Sequence, residues 1–258
     1  LFRSAVMLGL AHKPLGDHIA TTLEGDGDTK VESWMHRIIG VDSSKEQSWS
    51  AYARSVLAFS LMGVLLLYLL QRIQQWLPFS LGNGPVAPQV AFNTAISFVT
   101  NTNWQAYGGE TTMSTLSQML GLTVQNFASA AVGMCVAVAL IRGIGHLGYG
   151  RDKLGSESGQ HLIGNFWVDL TRGLVRILLP LSLLISFVLI LGGTMQTFGS
   201  NLVSSAGVDI PRAPVASQEA IKLLGTNGGG IFGANSAHPF ENPTGFTNLV
   251  EIFSLLVI

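Results

Sequence analysis

Charged side chains are scarce in this sequence, since Asp, Glu, Lys and Arg make up only 11% of its 258 residues. Soluble domains carry about 25% charged residues, so the composition favours a membrane protein. The formal net charge of -1 argues against a nucleic-acid partner, which would need a basic surface. Cys135 lies in an apolar run. Because it is the single cysteine, a disulfide within the chain is excluded. We interpret it as a small packed apolar side chain.

The sequence contains several long apolar runs. A helix needs about 20 apolar residues to cross a bilayer, and residues 51–70, 114–142 and 166–191 are long enough. Residues 246–258 predict the start of a further helix, and residues 1–11 predict the end of an earlier one. The sequence therefore predicts an all-α polytopic membrane protein, cut inside membrane helices at both ends.

Two shorter apolar segments cannot span a bilayer. Residues 89–99 predict a half helix that runs into the polar loop 100–105, TNTNWQ. Residues 216–224 predict a second half helix that runs into the loop 225–230, GTNGGG. The order of long helix, half helix, polar loop and long helix thus occurs twice along the chain.

The positive charges predict an orientation in the membrane. They concentrate in two connections, as Lys13, Lys30, Arg37 and Lys45, and as Arg142, Arg151 and Lys153. Residues 231–245 carry no Lys or Arg. By the positive-inside rule, residues 12–50 and 143–164 are then cytoplasmic. Both polar loops would enter the membrane from the outer face.

A re-entrant polar loop has a known chemical use. Non-helical backbone at membrane depth is tolerated only where it is buried in protein or lines an aqueous cavity. There, backbone carbonyls and small hydroxyls can replace the hydration shell of an alkali ion, and glycine lets successive carbonyls turn the same way. A single loop of this kind would more often be an ordinary external loop. Two loops in matching positions favour a transport site.

The glycines of the second loop also allow a nucleotide-binding interpretation. Gly228, Gly230 and Gly233 satisfy G-x-G-x-x-G, the dinucleotide fingerprint. The fingerprint requires a strand before it and a helix after it, whereas here Pro239 and Pro243 prevent a long helix. We therefore interpret Gly228–Gly230 as carbonyl donors to a dehydrated cation.

Other polar residues admit structural roles as well as functional ones. His238 and Glu241 do not complete a metal site, and we expect them to brace the outer loop. Asp169, Arg172 and Arg176 could form a relay in the membrane. Because they lie near the predicted cytoplasmic end, we expect an i,i+3 Asp–Arg pair or snorkelling.

The polar residues of the second long helix face the bundle interior in this scheme. For Gln118, Gln125 and Asn126, pore lining and hydrogen bonding between helices are equally open. Pro180 is expected to kink the third long helix. No Ser-His-Asp arrangement and no pair of carboxylates indicates catalysis on this chain.

Two long segments resemble the KdpA family of potassium-transporting ATPase subunits. They are AFNTAISFVTNTNWQAYGGETTMSTLSQMLGLTVQNFASAA (91–131) and PVASQEAIKLLGTNGGGIFGANSAHPFENPTGFTN (214–248). Residues 38–59 and 165–183 are similar as well. The resemblance implies a channel-like protein of the superfamily of K+ transporters, in which four membrane–pore–membrane repeats surround one pore. This chain would then hold the first repeat and most of the second, too little to enclose a filter alone.

The resemblance also assigns a potassium selectivity filter. Its residues would be Thr100, Asn101, Thr102, Asn103, Gln105, Thr226, Asn227, Gly228, Gly229 and Gly230. Gln105 stands where other repeats place a glycine, which would make the filter asymmetric.

The implied organisation follows the two repeats. It comprises the end of an extra N-terminal membrane helix (1–11), a cytoplasmic loop (12–50), the first repeat (51–142), a second cytoplasmic loop (143–164) and a truncated second repeat (165–258).

The implied function is high-affinity, ATP-driven potassium uptake across the bacterial inner membrane. Potassium would be the ion bound by this chain, with no nucleotide on it, and its partners would include membrane lipids but no nucleic acid. A KdpB-type subunit would hydrolyse ATP and receive the ion, and KdpC-type and KdpF-type small subunits would complete the complex. The alternatives are a passive potassium channel, an ion-coupled transporter of the same superfamily, or a membrane anchor without transport.

Overall fold

The computed structural model describes residues 2–25, 27–148, 162–199, 201–203, 207 and 209–258. This part of the chain is mostly helical, in agreement with the predicted membrane fold. Its α-helices are α1 (Phe2–Glu24), α2 (Lys30–Ile39), α3 (Trp49–Ile73), α4 (Pro88–Val99), α5 (Gly109–Thr112), α6 (Val124–Gly148), α7 (Phe166–Arg172), α8 (Leu179–Leu191), α9 (Val215–Leu224) and α10 (Gly245–Leu256). One short antiparallel pair, β1 (Leu202–Val203) with β2 (Asp209–Ile210), departs from the all-α prediction.

Three helices in the described ranges are long and apolar enough to cross a membrane, as the sequence predicts. They are Trp49–Trp76, Ser117–Gly145 and Phe166–Leu191. A π-helical segment, Ser117–Thr123, leads into α6, and a second, Gly173–Leu178, joins α7 to α8. On α3 the side chains of Leu57, Leu61 and Leu65 are exposed, so this helix presents an apolar surface suited to lipid.

The change from π-helical to α-helical turns in the third long helix lies next to its proline. Pro180 has no N–H, so it cannot bond to the carbonyl of Arg176 four residues earlier. The ring of His18 on α1 lies 3.0 Å from that carbonyl oxygen through its Nε2. Because a carbonyl only accepts hydrogen bonds, the His18 nitrogen is the donor there. The π-helical segment lies directly before the proline.

The N-terminal region contains more helix than the sequence predicts. The apolar segment was expected to end at residue 11, but α1 continues through Pro14 to Glu24. A second helix, α2, lies within the predicted loop 12–50 and begins at a capping box formed by Thr29 and Glu32. A helix ends where its backbone hydrogen bonds end, not where its hydrophobicity falls, and composition reports only the latter.

Two short helices, α4 and α9, lie where the sequence predicts the half helices, and we keep that name for them. Each carries small apolar side chains on the face that packs against a long helix. The cluster around α4 joins Ala91, Ala95 and Phe98 to Leu67 of α3. The cluster around α9 joins Ala216, Ala220 and Leu224 to Ile185 and Leu189 of α8 and to Val250 of α10. This packing holds each half helix against its neighbouring long helices.

The connections divide between the two ends of the bundle. The backbone N–H of Gln47 donates to the Gly164 carbonyl at 2.7 Å, which joins the chain before α3 to the chain before α7. At the far end of α3, Gln74 donates to the carbonyl of Thr112 at 2.8 Å, beyond the first polar loop. Arg151 and Lys153, part of the basis for the predicted orientation, lie outside the described residues.

Candidate functional site

The first half helix ends in a Schellman motif. Asn101 has a φ of 60°, in the left-handed region, and its N–H donates to the carbonyl of Phe98 at 3.3 Å. The N–H of Thr102 donates to the carbonyl of Ser97 at 2.9 Å. These two bonds are the pair that defines the motif. The chain therefore leaves α4 sharply into the loop 100–105.

The second half helix ends in the same way. Thr226 has a φ of 51°, and its N–H donates to the carbonyl of Leu223 at 3.0 Å. The N–H of Asn227 donates to the carbonyl of Lys222 at 2.9 Å. A β-branched residue in the left-handed region is strained, and such strain clusters at functional sites. The two loops thus begin with the same backbone geometry, in the register that aligns residues 100–105 with 225–230.

The two polar loops are in direct contact. Gln105 donates from Nε2 to the Gly230 carbonyl at 2.8 Å, and Asn101 donates from Nδ2 to the Gly225 carbonyl at 3.3 Å. A Cβ placed on Gly228 would lie 3.7 Å from the Cβ of Asn103. The structure therefore brings together both predicted sets of site residues, although they lie more than a hundred residues apart in the sequence.

Helix α6 supports both loops from behind. Its Asn126 accepts a hydrogen bond at Oδ1 from Asn103 Nδ2 at 2.8 Å, and its backbone carbonyl accepts one from Asn227 Nδ2 at 2.9 Å. One turn later, Ser129 donates to Asn101 Oδ1 at 2.7 Å. Of the two roles left open for Asn126, hydrogen bonding between elements is therefore the one observed. Gln118 also makes such a bond, to the carbonyl of Gly109 at 3.1 Å.

The backbone carbonyls of the loops fall into two groups. Those of Gly229 and Gly230 accept side-chain hydrogen bonds, from Lys222 at 3.1 Å and from Gln105 at 2.8 Å. Those of residues 100–103 and 226–228 accept no hydrogen bond from any residue that the structure describes. The hydroxyl-bearing residues Thr100, Thr102 and Thr226 are exposed. The Thr100 hydroxyl donates to the Ile96 carbonyl at 2.9 Å and lies 3.0 Å from the Thr102 hydroxyl. Unengaged carbonyl oxygens from two adjoining loops, with threonine hydroxyls beside them, can offer ligands to a cation.

A buried ionic cluster lies under the second loop, and our interpretation of the sequence missed it. Lys222 donates from Nζ to Glu219 Oε1 at 2.5 Å, and both side chains are almost fully buried. The other oxygen of Glu219 accepts from Ser236 at 2.6 Å. Burial, with a further contribution from nearby Glu219, raises the pKa of Glu241 above its ordinary value. A Glu and a Lys three residues apart in a membrane half helix were the available signal, because such charges are rare there.

The outer part of the second loop is braced by aromatic stacking. The ring of His238 stacks on Phe232 with 4.0 Å between centroids, and its Nδ1 accepts from the Phe240 N–H at 3.1 Å. The N–H of Glu241 donates to the His238 carbonyl at 2.9 Å. His238 and Glu241 therefore brace the loop, as the sequence predicts.

The charges of the third long helix pair differently from the prediction. Asp169 contacts Arg142 of α6 at 2.7 Å, not Arg172 on its own helix. Arg172 instead donates to the carbonyl of Gly25 at 2.8 Å. The expected i,i+3 pair is wrong, because these side chains point towards neighbouring segments that offer buried partners.

One of those partners is a carboxylate of α2. Arg176 contacts Glu32, whose side chain is fully buried. Burial would raise the pKa of Glu32, but hydrogen bonds from Arg176 and Thr29 outweigh it and hold the pKa below its ordinary value. This ion pair attaches α2 to the third long helix at the end of the molecule opposite the polar loops.

Comparisons with known proteins find a matching family and several similar sequences. The family described as "KdpA: Potassium-transporting ATPase A subunit" matches residues 3–258. A protein of Cutibacterium acnes named "Potassium-transporting ATPase potassium-binding subunit" is 54% identical over 259 residues, which cover 98% of this chain and 44% of that protein. Proteins of the same name from Nocardia farcinica and Rhodococcus erythropolis are each 55% identical, again over 98% of this chain and 44% of theirs. The chain thus spans less than half the length of these relatives.

Proposed function

The chain belongs to the family of potassium-transporting ATPase A subunits, and on this premise we propose that it is the N-terminal portion of a potassium-binding subunit. In this role it selects K+ from outside the cell and passes the ion on towards an ATPase subunit. The relatives carry the name of a potassium-binding subunit, and the chain matches the family over residues 3–258.

The observation that carries the proposal is the convergence of two polar loops in which the carbonyls of residues 100–103 and 226–228 are unengaged. Residues 100–103 and 226–228 offer backbone oxygens, and the adjacent threonines offer hydroxyls. Oxygen ligands of this kind replace the hydration shell of K+ in selectivity filters. We propose that the loops 100–105 and 225–230 are two strands of such a filter, comprising the ten residues assigned above. Gly229 and Gly230 would shape their strand and not ligate the ion.

We further propose that both loops re-enter the membrane from the outer face. The matched Schellman motifs support two membrane–pore–membrane repeats, 51–142 and 165–258, after an N-terminal helix. The C-terminal ends of α4 and α9 would direct the negative ends of their helix dipoles at the ion. The remaining strands of the filter would come from the part of the relatives' length that this chain does not cover.

The proposed complex lies in the bacterial inner membrane, with residues 12–50 and 143–164 on the cytoplasmic side. ATP is hydrolysed on a KdpB-type partner subunit, and KdpC-type and KdpF-type small subunits complete the assembly. The names of the relatives, which describe one subunit of an ATPase, support a complex of several chains. Potassium is the ligand of this chain, and no nucleotide binds to it.

The test uses the full-length protein in its complete complex, reconstituted into vesicles. We expect ATP-dependent K+ uptake that vanadate inhibits. Gly228→Val places a branched side chain between the two loops, where even an added Cβ would lie 3.7 Å from the Cβ of Asn103. This variant is expected to raise the half-saturating K+ concentration while the complex still assembles. Unchanged uptake by an assembled Gly228→Val complex would remove this loop from the filter. Uptake that needs no ATP would favour a passive channel.

A further inference from the structure

The ammonium group of Lys222 lies directly beneath the second polar loop. Its side chain is 1% exposed, and it belongs to the last turn of α9, two residues before the helix ends at Leu224. Burying an unpaired ammonium costs several kcal/mol, so a lysine here requires close partners. The structure supplies two, Glu219 and the backbone carbonyl of Gly229.

These contacts hold Gly229 from both sides of its backbone. The carbonyl accepts from Lys222 Nζ at 3.1 Å, and the N–H donates to Asn235 Oδ1 at 2.6 Å. The φ of Gly229 is 77°, in the region that favours glycine. The carbonyl is thereby directed towards a buried ammonium group, whereas those of residues 226–228 meet no donor among the described residues.

The first loop is also held by a side chain of its half helix, at the corresponding position. The shared motif aligns Ser97 with Lys222 and Trp104 with Gly229. The hydroxyl of Ser97 accepts a hydrogen bond from the N–H of Trp104, seven residues later. The ammonium group of Lys222 likewise donates to the residue seven positions later, at the backbone carbonyl of Gly229. In both halves, therefore, a side chain from the end of the half helix fixes the same point of the loop.

We propose that Lys222 is a positioning residue for potassium selection: it holds the Gly229 carbonyl away from the ion, so that this loop coordinates K+ through residues 226–228. The proposal rests on the proposed function. Glu219 neutralises the ammonium group, which would otherwise repel a bound cation. The two side chains thus form a neutral pair that acts through backbone geometry.

The experiment compares variants of the full-length protein in the complete complex. Lys222→Met removes the donor, and Lys222→Met/Glu219→Gln removes both charges of the pair, so its effect cannot come from a net charge near the ion. The control is Arg142→Met/Asp169→Asn, an ion pair at the opposite end of the bundle in which Asp169 is buried and Arg142 is partly buried. Half-saturating K+, discrimination against Na+ and maximal ATP-driven uptake are measured for each.

We expect the double variant at Lys222 to raise half-saturating K+ about tenfold, the worth of one hydrogen bond from a charged donor. Its Na+ discrimination should fall while its maximal rate is retained, and the control pair should leave K+ affinity unchanged. Wild-type affinity in the double variant, or an equal loss in the control, would overturn the proposal.

Lys222→Gln keeps an N–H donor and gives a second test that does not depend on assembly of the methionine variants. Na+ discrimination close to wild type in this variant would support the positioning role. Discrimination lost while the complex assembles normally would contradict it. The Gly228→Val result separates the proposed filter from the proposed role of Lys222. If that variant impairs K+ binding and the Lys222 variants do not, only the role of Lys222 fails.

Discussion

The amide of Gln105 donates to the backbone carbonyl of Gly230 at 2.8 Å, across 125 residues of sequence. These two residues occupy the same position in their respective loops, so the two loops contact each other through equivalent residues. The side chain of Gln105 is one of two donors to this carbonyl, which also accepts from the N–H of Gly233 at 3.3 Å. The asymmetry of the two loops at this position therefore has a structural reason.

Gln105→Leu should weaken both the contact and potassium binding. Leucine keeps much of the volume but removes the shorter of the two hydrogen bonds that the Gly230 carbonyl accepts, a loss of about 0.5–1.5 kcal/mol. We expect half-saturating K+ to rise in the reconstituted complex, measured as ATP-driven uptake. The control is Gln196→Leu, which removes an exposed amide that contacts Ser217. An equal change in both variants would show that the Gln105 bond has no special role.

Gly229→Ala should destabilise the protein more than Gly228→Ala. Gly229 has a φ of 77°, and an added Cβ would lie 3.2 Å from Phe98 Cζ. At Gly228 the nearest atom would be 3.5 Å away and φ is not positive. Left-handed backbone costs a residue with a side chain about 1–3 kcal/mol. Thermal unfolding in detergent checks the order, and equal melting temperatures for the two variants would contradict it.

Thr226→Gly should separate stability from function. Threonine is strained at its φ of 51°, so glycine is expected to raise the free energy of unfolding by about 1 kcal/mol. At the same time the exposed hydroxyl is lost, and discrimination between K+ and Na+ should fall. Thr100→Gly serves as the control, because Thr100 has a φ of -86° and offers no strain to relieve. A Thr226→Gly protein that is less stable than wild type would refute the strain.

The ion pair between Glu32 and Arg176 should make stability depend on acid pH. Because the folded pKa of Glu32 lies below its ordinary 4.5, its contribution is complete above that pH and is lost as pH falls through the folded value. Glu32→Gln should cost about 3 kcal/mol at neutral pH, and its deficit should shrink in strong acid. The free energy of unfolding of the wild type and of Glu32→Gln, measured in detergent at neutral pH and in strong acid, tests this dependence.

Glu24→Gln is the control for that experiment. Glu24 is exposed and belongs to none of the ion pairs in the described ranges. A deficit for Glu32→Gln that stays constant from neutral pH into acid would show that the carboxylate charge is not what holds α2.

Much of the architecture could be predicted from local features of the sequence. The three long helices follow from the lengths of apolar runs, and α4 and α9 follow from runs too short to span a bilayer. Helix α2 and the second half of α1 were not predicted, because their residues are polar and carry no membrane signal. The partner of Asp169 was predicted wrongly, since a neighbour in sequence was available and the true partner, Arg142, lies on another helix.

The sequence by itself determined that the chain is an apolar helical protein with two matched polar loops, because length and composition act locally. Only the tertiary structure decided how those loops are used. It places Gln105 on Gly230 and Lys222 on Gly229, and so divides three glycines that look equivalent in sequence. The physical reason is that a carbonyl's availability depends on which donor reaches it, and those donors come from the next loop or from the preceding half helix once the chain has folded.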